Sequence, residues 1–127
     1  MKETLLLYHF DDKIKSGIEN IAQQLGIEVQ YIEDHQIHET MGYILNIDGF
    51  EKSEPLDKEI QLENEFMFFA GMTDQQLDLL LEIFKVSGVP FIPYKAMLTE
   101  RNVEYTFYQL YQNVAHEYEQ ISGVKSK

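Results

Sequence analysis

The chain has 127 residues, of which 44% are hydrophobic and 25% charged, so one globular domain with its own core is expected. Its net charge of -12 opposes phosphate backbones and anionic lipid surfaces, which argues against nucleic acid or a membrane as partner. The absence of cysteine excludes disulfides, thiol nucleophiles and cysteine-ligated metals.

The first half of the chain predicts a strand, a helix, a second strand and a weaker helix. Residues 4–10 form an apolar run, and Asp11 follows it as a candidate N-cap. Apolar residues then recur at helical spacing until Gly26. Alternation over 27–31 predicts an edge strand, and 35–45 predicts the weaker helix.

A long connection follows at 46–64. It contains Gly49, Pro55 and many charged residues, a composition that favours a mobile acidic loop. We take 1–121 as the single domain and expect a disordered tail at 122–127. Because no apolar run is as long as a membrane helix, we expect a cytoplasmic protein.

The second half repeats the alternation of strands and helices. The pattern predicts an apolar strand over 66–71, a helix capped by Thr73 and ended by Gly88, a strand over 89–96, and a final helix over 100–121 with Thr99 as N-cap. Shifting the sequence by 62 residues aligns the two halves, for example Asp12 with Asp74 and Gly26 with Gly88. An ancient duplication and a chance match of two similar units both explain this register.

Alternating strands and helices predict an α/β fold. We expect a single three-layer domain in which a four-stranded, mainly parallel sheet has the order 2-1-3-4 and carries helices on both faces.

The final helix is apolar over more of its circumference than one sheet face covers. Tyr105 and Tyr108 widen its apolar arc. They pack under a neighbouring helix in one interpretation and form a homodimer interface or a ligand wall in the other.

Candidate ligand-binding residues follow the predicted strands, since ligands of open parallel sheets bind beyond the carboxyl ends of the strands. His9 and Asp11 follow the first strand, and Thr73 follows the third. The fourth strand would bring Lys95, Thr99 and Asn102, where a cation beside a helix N-terminus could hold a carboxylate or phosphate. Ordinary roles, with Lys95 paired to an acid and Thr99 and Asn102 capping a helix, explain the same residues.

Other chemistry has less support. His35, His38 and Glu39 would approach one another on a helix and could bind a metal, with His116 as a distant ligand, although a solvated helix start explains the same pattern. We expect no metal and no cofactor. Nucleotide binding has little support because no glycine-rich phosphate loop is present, and hydrolase chemistry has none because no nucleophile elbow is present.

Several segments resemble a known family. The segments Glu65–Phe69, Gln76–Asp78, Lys95–Asn102 and His116–Glu117, and more loosely Glu3–Tyr8, are similar to a family of small uncharacterised bacterial proteins, a domain of unknown function found mostly in Gram-positive anaerobes. The resemblance implies no established activity, cofactor or partner. It does draw attention to Lys95, Thr99 and Asn102, which stand among the distinctive letters of that family.

Two functional hypotheses remain. The first is a non-catalytic domain that binds a protein partner or a small anion. The second is a small-molecule enzyme using His9 and Lys95 at the carboxyl edge of the sheet. In the enzyme, Lys95 would face an open pocket beside His9 and Asp11; in the binding domain it would pair with a carboxylate.

Overall fold

The computed structural model of the protein describes residues 1–55, 60 and 62–122. These residues form the strands β1 (Thr4–Tyr8), β2 (Glu28–Tyr31), β3 (Phe66–Ala70) and β4 (Lys95–Met97), and the helices α1 (Asp12–Leu25), α2 (Met41–Ile44), α3 (Asp74–Val86) and α4 (Phe107–Ser122). Short 3-10 turns lie at Asp34–Gln36 and Asn102–Glu104. Of the tail predicted to be disordered, 123–127 lies outside the described residues.

The strands form one sheet in the order β2-β1-β3-β4, which confirms the predicted order. The pairs β1–β2 and β3–β4 are parallel, whereas β1 and β3 run antiparallel. The sheet is therefore mixed, with two of its three pairings parallel. No helix of the described residues combines the length and apolarity needed to cross a bilayer.

The antiparallel central pair follows from the path of the chain between β2 and β3. Helix α2 has only four residues, about 6 Å at 1.5 Å per residue, and is too short to carry the chain across the sheet. The connection instead returns beside the end of β1, where the Leu62 amide donates to the Tyr8 hydroxyl. β3 then runs back from this edge, antiparallel to β1.

Helices cover both faces of the sheet, as the alternation predicts. On one face, Leu5, Leu7, Met67 and Phe69 pack with residues of α1 and α3. On the other, a second cluster joins the strands to α2 and α4: Leu6, Tyr8, Phe66, Phe68, Met41, Phe107, Leu110 and Tyr111. The central strands are therefore buried on both sides, which explains why their sequences are apolar without alternation.

The first strand and the start of the helix in each half keep the 62-residue register in space, whereas β4 begins at Lys95 rather than at residue 90, the counterpart of the start of β2. β1 and β3 each have five residues, and their first residues, Thr4 and Phe66, lie 62 positions apart. In the antiparallel register Leu6 pairs with Phe68, its own counterpart at this spacing. The two strand-helix-strand units are thus related by an approximate twofold axis through the Leu6–Phe68 pair.

The predicted helix over 35–45 is wrong in extent. The chain forms a 3-10 turn at Asp34–Gln36 and then α2. Between them Thr40 is extended, caps α2 through its hydroxyl and forms a β-bridge to Thr106. This bridge interrupts the helix and ties the segment to the start of α4.

The last strand and helix both begin later than predicted. β4 begins at Lys95 rather than at residue 89, since Pro90 and Pro93 lack the N–H that a strand donates. α4 begins at Phe107 rather than at residue 100. Thr106 and Gln109 form its capping box by exchanging side-chain and backbone hydrogen bonds.

Parts of the acidic connection are anchored to the domain. The Ser53 amide donates to the buried carboxylate of Glu39 at 2.8 Å, and the Asn64 amide donates to the Tyr111 hydroxyl at 2.9 Å. These bonds hold two points of a segment whose composition predicts mobility. Residues 56–59 and 61 of this segment lie outside the described residues.

Gly71, which directly follows β3, should not accept a larger residue without a loss of stability. Its φ is +75°, and an added Cβ would lie 2.5 Å from the Lys2 carbonyl oxygen. We expect Gly71→Ala to lower the free energy of unfolding by about 2–4 kcal/mol, combining left-handed strain and a backbone clash.

Gly17→Ala is the matched control, since an added Cβ at this position in α1 would meet nothing within 4 Å. This substitution should raise the free energy of unfolding by about 0.5–1 kcal/mol. Urea unfolding of both variants measures the difference. Equal stability of Gly71→Ala and wild type would contradict the packing described for this edge.

Candidate ligand-binding site

The predicted site residues lie at two opposite edges of the sheet. His9 and Asp11 follow β1, and Thr73 follows β3, which runs the other way. The expectation that they meet is therefore wrong, because it assumed parallel central strands. Lys95 begins β4 and lies in register with Met67 and Leu7, toward the His9 edge, whereas Thr99 and Asn102 follow β4.

Thr73, Thr99 and Asn102 use their polar side-chain atoms within local turns. Thr73 forms a capping box with Gln76 at the start of α3. The Asn102 carboxamide oxygen accepts from the Thr99 amide at 2.8 Å, and the Thr99 hydroxyl accepts from the Asn102 amide at 3.0 Å. The Asn102 Nδ2 donates to the Met97 carbonyl at 2.9 Å. These bonds connect β4 to the turn before α4.

His9 and Asp11 lie near the start of α1. The Asp11 carboxylate accepts from the Ile14 amide and caps the helix. The His9 Nε2 lies 3.4 Å from the Asp34 carboxylate, which also accepts a 2.5 Å hydrogen bond from the Tyr8 hydroxyl. Sequence reasoning missed Asp34 as a partner of His9, although Asp34 follows β2, which lies beside β1 and runs parallel to it.

Lys95 lies in an apolar groove of about 400 Å³, which we call the Lys95 groove. Met67, Phe84 and Ile92 are buried residues at its base, and Val89, Pro90 and Phe91 come from the segment before β4. The wall from α3 consists of Asp78, Leu81, Glu82 and Lys85. Concave apolar pockets with few polar groups are typical of sites for small molecules.

The ammonium of Lys95 is partly desolvated inside this groove. Its Nζ donates to the Ile92 carbonyl and lies 4.4 Å from the centre of the Phe91 ring. None of the ion pairs among the described residues involves Lys95. Burial lowers the pKa of Lys95 from its ordinary value of 10.5, since desolvation disfavours the charged form. The enzyme hypothesis expects an open pocket at Lys95 with His9 and Asp11 beside it, but neither of these two residues lines this groove.

The groove arises where the two similar halves of the fold differ. β2 begins at the second residue after Gly26, whereas β4 begins at the seventh residue after the equivalent Gly88. The additional residues form the outer wall of the groove, and Phe91 at its tip is 76% exposed. Large aromatic side chains this exposed are characteristic of binding sites when they border an apolar cavity.

Lys95 and His9 line different cavities. His9 does not contact the Lys95 groove but lines a polar cleft with Lys15, Tyr31 and Asp34. The hypothesis of an enzyme that uses His9 and Lys95 together therefore gains no support from their positions.

The residues of two other hypotheses, the tyrosine surface of the last helix and the histidine metal site, can also be located in the structure. Tyr105 and Tyr108 are half-buried and pack against the core of their own chain. The His38 Nε2 lies 3.4 Å from the Glu39 carboxylate, but His35 belongs to a separate turn. Within the described ranges, no group of three or more His, Asp or Glu side chains is placed to hold a metal ion.

Asn102 should contribute to the stability of the fold. We expect Asn102→Ala to lower the free energy of unfolding by about 2 kcal/mol, because it leaves the Thr99 amide and the Met97 carbonyl without their partner. Thermal unfolding followed by circular dichroism measures this cost. An unchanged melting temperature would show that the turn does not depend on these hydrogen bonds.

The comparisons with known proteins agree with the resemblance in the second half of the chain. Neither a curated protein nor a solved structure matches the sequence. The matched segment contains Lys95 and the whole Lys95 groove, whereas β1 and α1 lie before it. Residues 65–121, which form β3, α3, β4 and most of α4, match the model of a family described as a domain of unknown function, DUF3783.

Proposed function

We propose that the protein is a binding domain that holds a small amphipathic carboxylate in the Lys95 groove. The observation that carries this proposal is a desolvated ammonium group inside an apolar cavity, without a carboxylate partner among the described ion pairs. A ligand carboxylate would supply the missing counter-ion. Its apolar body would cover the surface that now faces solvent.

The charged end of the ligand is assigned to Lys95. Hydrogen bonds to a charged partner are worth about 1.5–3 kcal/mol, and low polarity around Nζ strengthens them. The net charge of the groove also matters, because Asp78 and Glu82 lie on its α3 wall together with Lys85. These acids disfavour ligands with several negative charges and support a monocarboxylate over a phosphate.

The apolar end of the ligand is assigned to the wall before β4. Phe91 is exposed on its own, and covering apolar surface contributes about 25 cal/mol per Å². Pro90 and Pro93 restrict the backbone on both sides of Phe91, so little conformational freedom is lost when a ligand covers the ring. The groove is thus suited to a short alkyl or aryl chain.

Octanoate is a suitable probe for this site. We expect it to bind by isothermal titration calorimetry, and Lys95→Met to weaken binding about tenfold because the charged partner is lost while an apolar chain of similar length remains. Phe91→Ser should also weaken binding, and its exposed position keeps the fold intact.

Two controls make the test specific. Lys13→Met removes an exposed lysine of α1 and should leave octanoate affinity unchanged. Octylamine, with the opposite charge, should bind much more weakly than octanoate. Equal affinity of wild type and Lys95→Met for octanoate would refute the assignment.

The pH dependence of binding should report the lysine itself. Only the protonated amine attracts a carboxylate, so octanoate affinity should fall as pH rises through the pKa of Lys95. Since burial lowers that pKa, the fall should begin below the pH expected for an ordinary lysine at 10.5.

Lys95→Arg is the control for this profile, because its guanidinium stays charged throughout. Titrations of both proteins across the alkaline range make the comparison. A profile of wild type that follows that of Lys95→Arg would mean that the titration of Lys95 does not control binding.

A further inference from the structure

A second cavity lies at the carboxyl ends of β1 and β2, away from the Lys95 groove. It measures about 310 Å³ and is lined mainly by polar side chains, so its surroundings differ from those of the groove. We call it the His9 cleft; its polar walls contain His9, Lys15, Tyr31, Glu33 and Asp34. The neighbouring strands β1 and β2 are parallel here, and the carboxyl ends of parallel strands are where α/β proteins bind ligands.

One wall of the cleft is built to face a positive group. The Asp34 carboxylate is oriented by the buried Tyr8, whose hydroxyl donates to it at 2.5 Å. Burial and this hydrogen bond raise the pKa of Tyr8, so the hydroxyl stays a donor. Glu33 adds a second carboxylate to the same wall. A ligand ammonium is the group that two carboxylates favour.

The lining of the cleft also includes a cation. The Lys15 Nζ lies 5.0 Å from the centre of the Tyr31 ring and 3.6 Å from the carboxylate of Asp12, a fully exposed side chain. Such an exposed ion pair contributes little to stability, so Lys15 can exchange it for a ligand carboxylate. The cleft is therefore lined both by carboxylates and by an ammonium.

His9 lines the same cleft and has a backbone conformation that is uncommon for a residue other than glycine. Its φ is +67°, its ring stacks on Tyr8 with the centroids 4.3 Å apart, and its Nε2 faces Asp34 at 3.4 Å. A non-glycine residue with positive φ is uncommon, and residues held this way cluster at ligand-binding sites. This backbone conformation sets the direction in which the histidine leaves β1.

We propose that the His9 cleft binds a small zwitterion of the α-amino acid class. The ligand ammonium lies against Asp34 and Glu33, its carboxylate against Lys15, and its side chain toward Tyr31 and Phe10. A molecule carrying one charge satisfies only one wall of the cleft.

The test is a titration of ¹⁵N-labelled full-length protein with each of the standard L-amino acids at millimolar concentration. We expect at least one of them to shift amide signals within residues 9–15 and 31–34. The amide of that amino acid, which lacks the carboxylate, and its deaminated acid, which lacks the ammonium, should each bind about tenfold more weakly.

Variants then assign the two walls. Asp34→Asn, whose carboxamide still accepts from Tyr8, and Lys15→Gln should each weaken binding of the amino acid about tenfold. Lys13→Gln and Lys95→Met should leave it unchanged, which separates this site from the Lys95 groove. The spectrum of each free variant shows whether its fold is retained.

The proposal is overturned if no amino acid shifts these signals, or if its amide and its deaminated acid bind as tightly as the amino acid itself. It is also overturned if Lys15→Gln binds the amino acid with wild-type affinity.

Discussion

The antiparallel hydrogen bonds between β1 and β3 decide where chemistry can occur in this protein. Leu6 and Phe68 pair at the centre of the sheet, and each outer strand is parallel to its inner neighbour. The carboxyl ends of β1 and β2 therefore share one edge, and those of β3 and β4 share the other. Residues that follow β1 and β3 cannot assemble into one site.

Both cavities depend on this arrangement, yet for different reasons. The His9 cleft lies where the ends of two parallel strands meet, as in other α/β proteins. The Lys95 groove lies at the beginning of β4, where the chain takes additional residues before it joins the sheet. The first half has no such additional residues between α1 and β2. The two halves are similar in backbone, yet the cavity in one half is mainly polar and the cavity in the other is mainly apolar.

The sequence is sufficient for most of the architecture. The apolar runs at Leu5–Leu7 and Phe66–Ala70 predict buried strands, and the capping box at Thr73 places α3. The antiparallel central pair cannot be predicted this way, since an apolar run does not specify the direction in which a buried strand crosses the sheet. The start of α4 was within reach, because Thr106 and Gln109 repeat the spacing of Thr73 and Gln76.

Some features of the candidate sites can likewise be predicted from the sequence, and others cannot. Lys95 stands out in the sequence as a cation at a strand end, and its desolvation appears only when α3 packs beside it. Phe91 reads as a strand residue unless Pro90 and Pro93 are taken as evidence against a strand. Thr99 and Asn102, which stand out in the resemblance to the family, hold a turn together through their hydrogen bonds. Asp34 could have been paired with His9 by applying the strand-end argument to β2.

A crystal structure of the protein with 8-bromooctanoate would test the central claim most directly, because the bromine marks the chain end by its anomalous signal. We predict a carboxylate within hydrogen-bond distance of the Lys95 Nζ and bromine density beside Phe91. A bromine signal away from the groove, or none at a saturating concentration of the compound, would contradict the account.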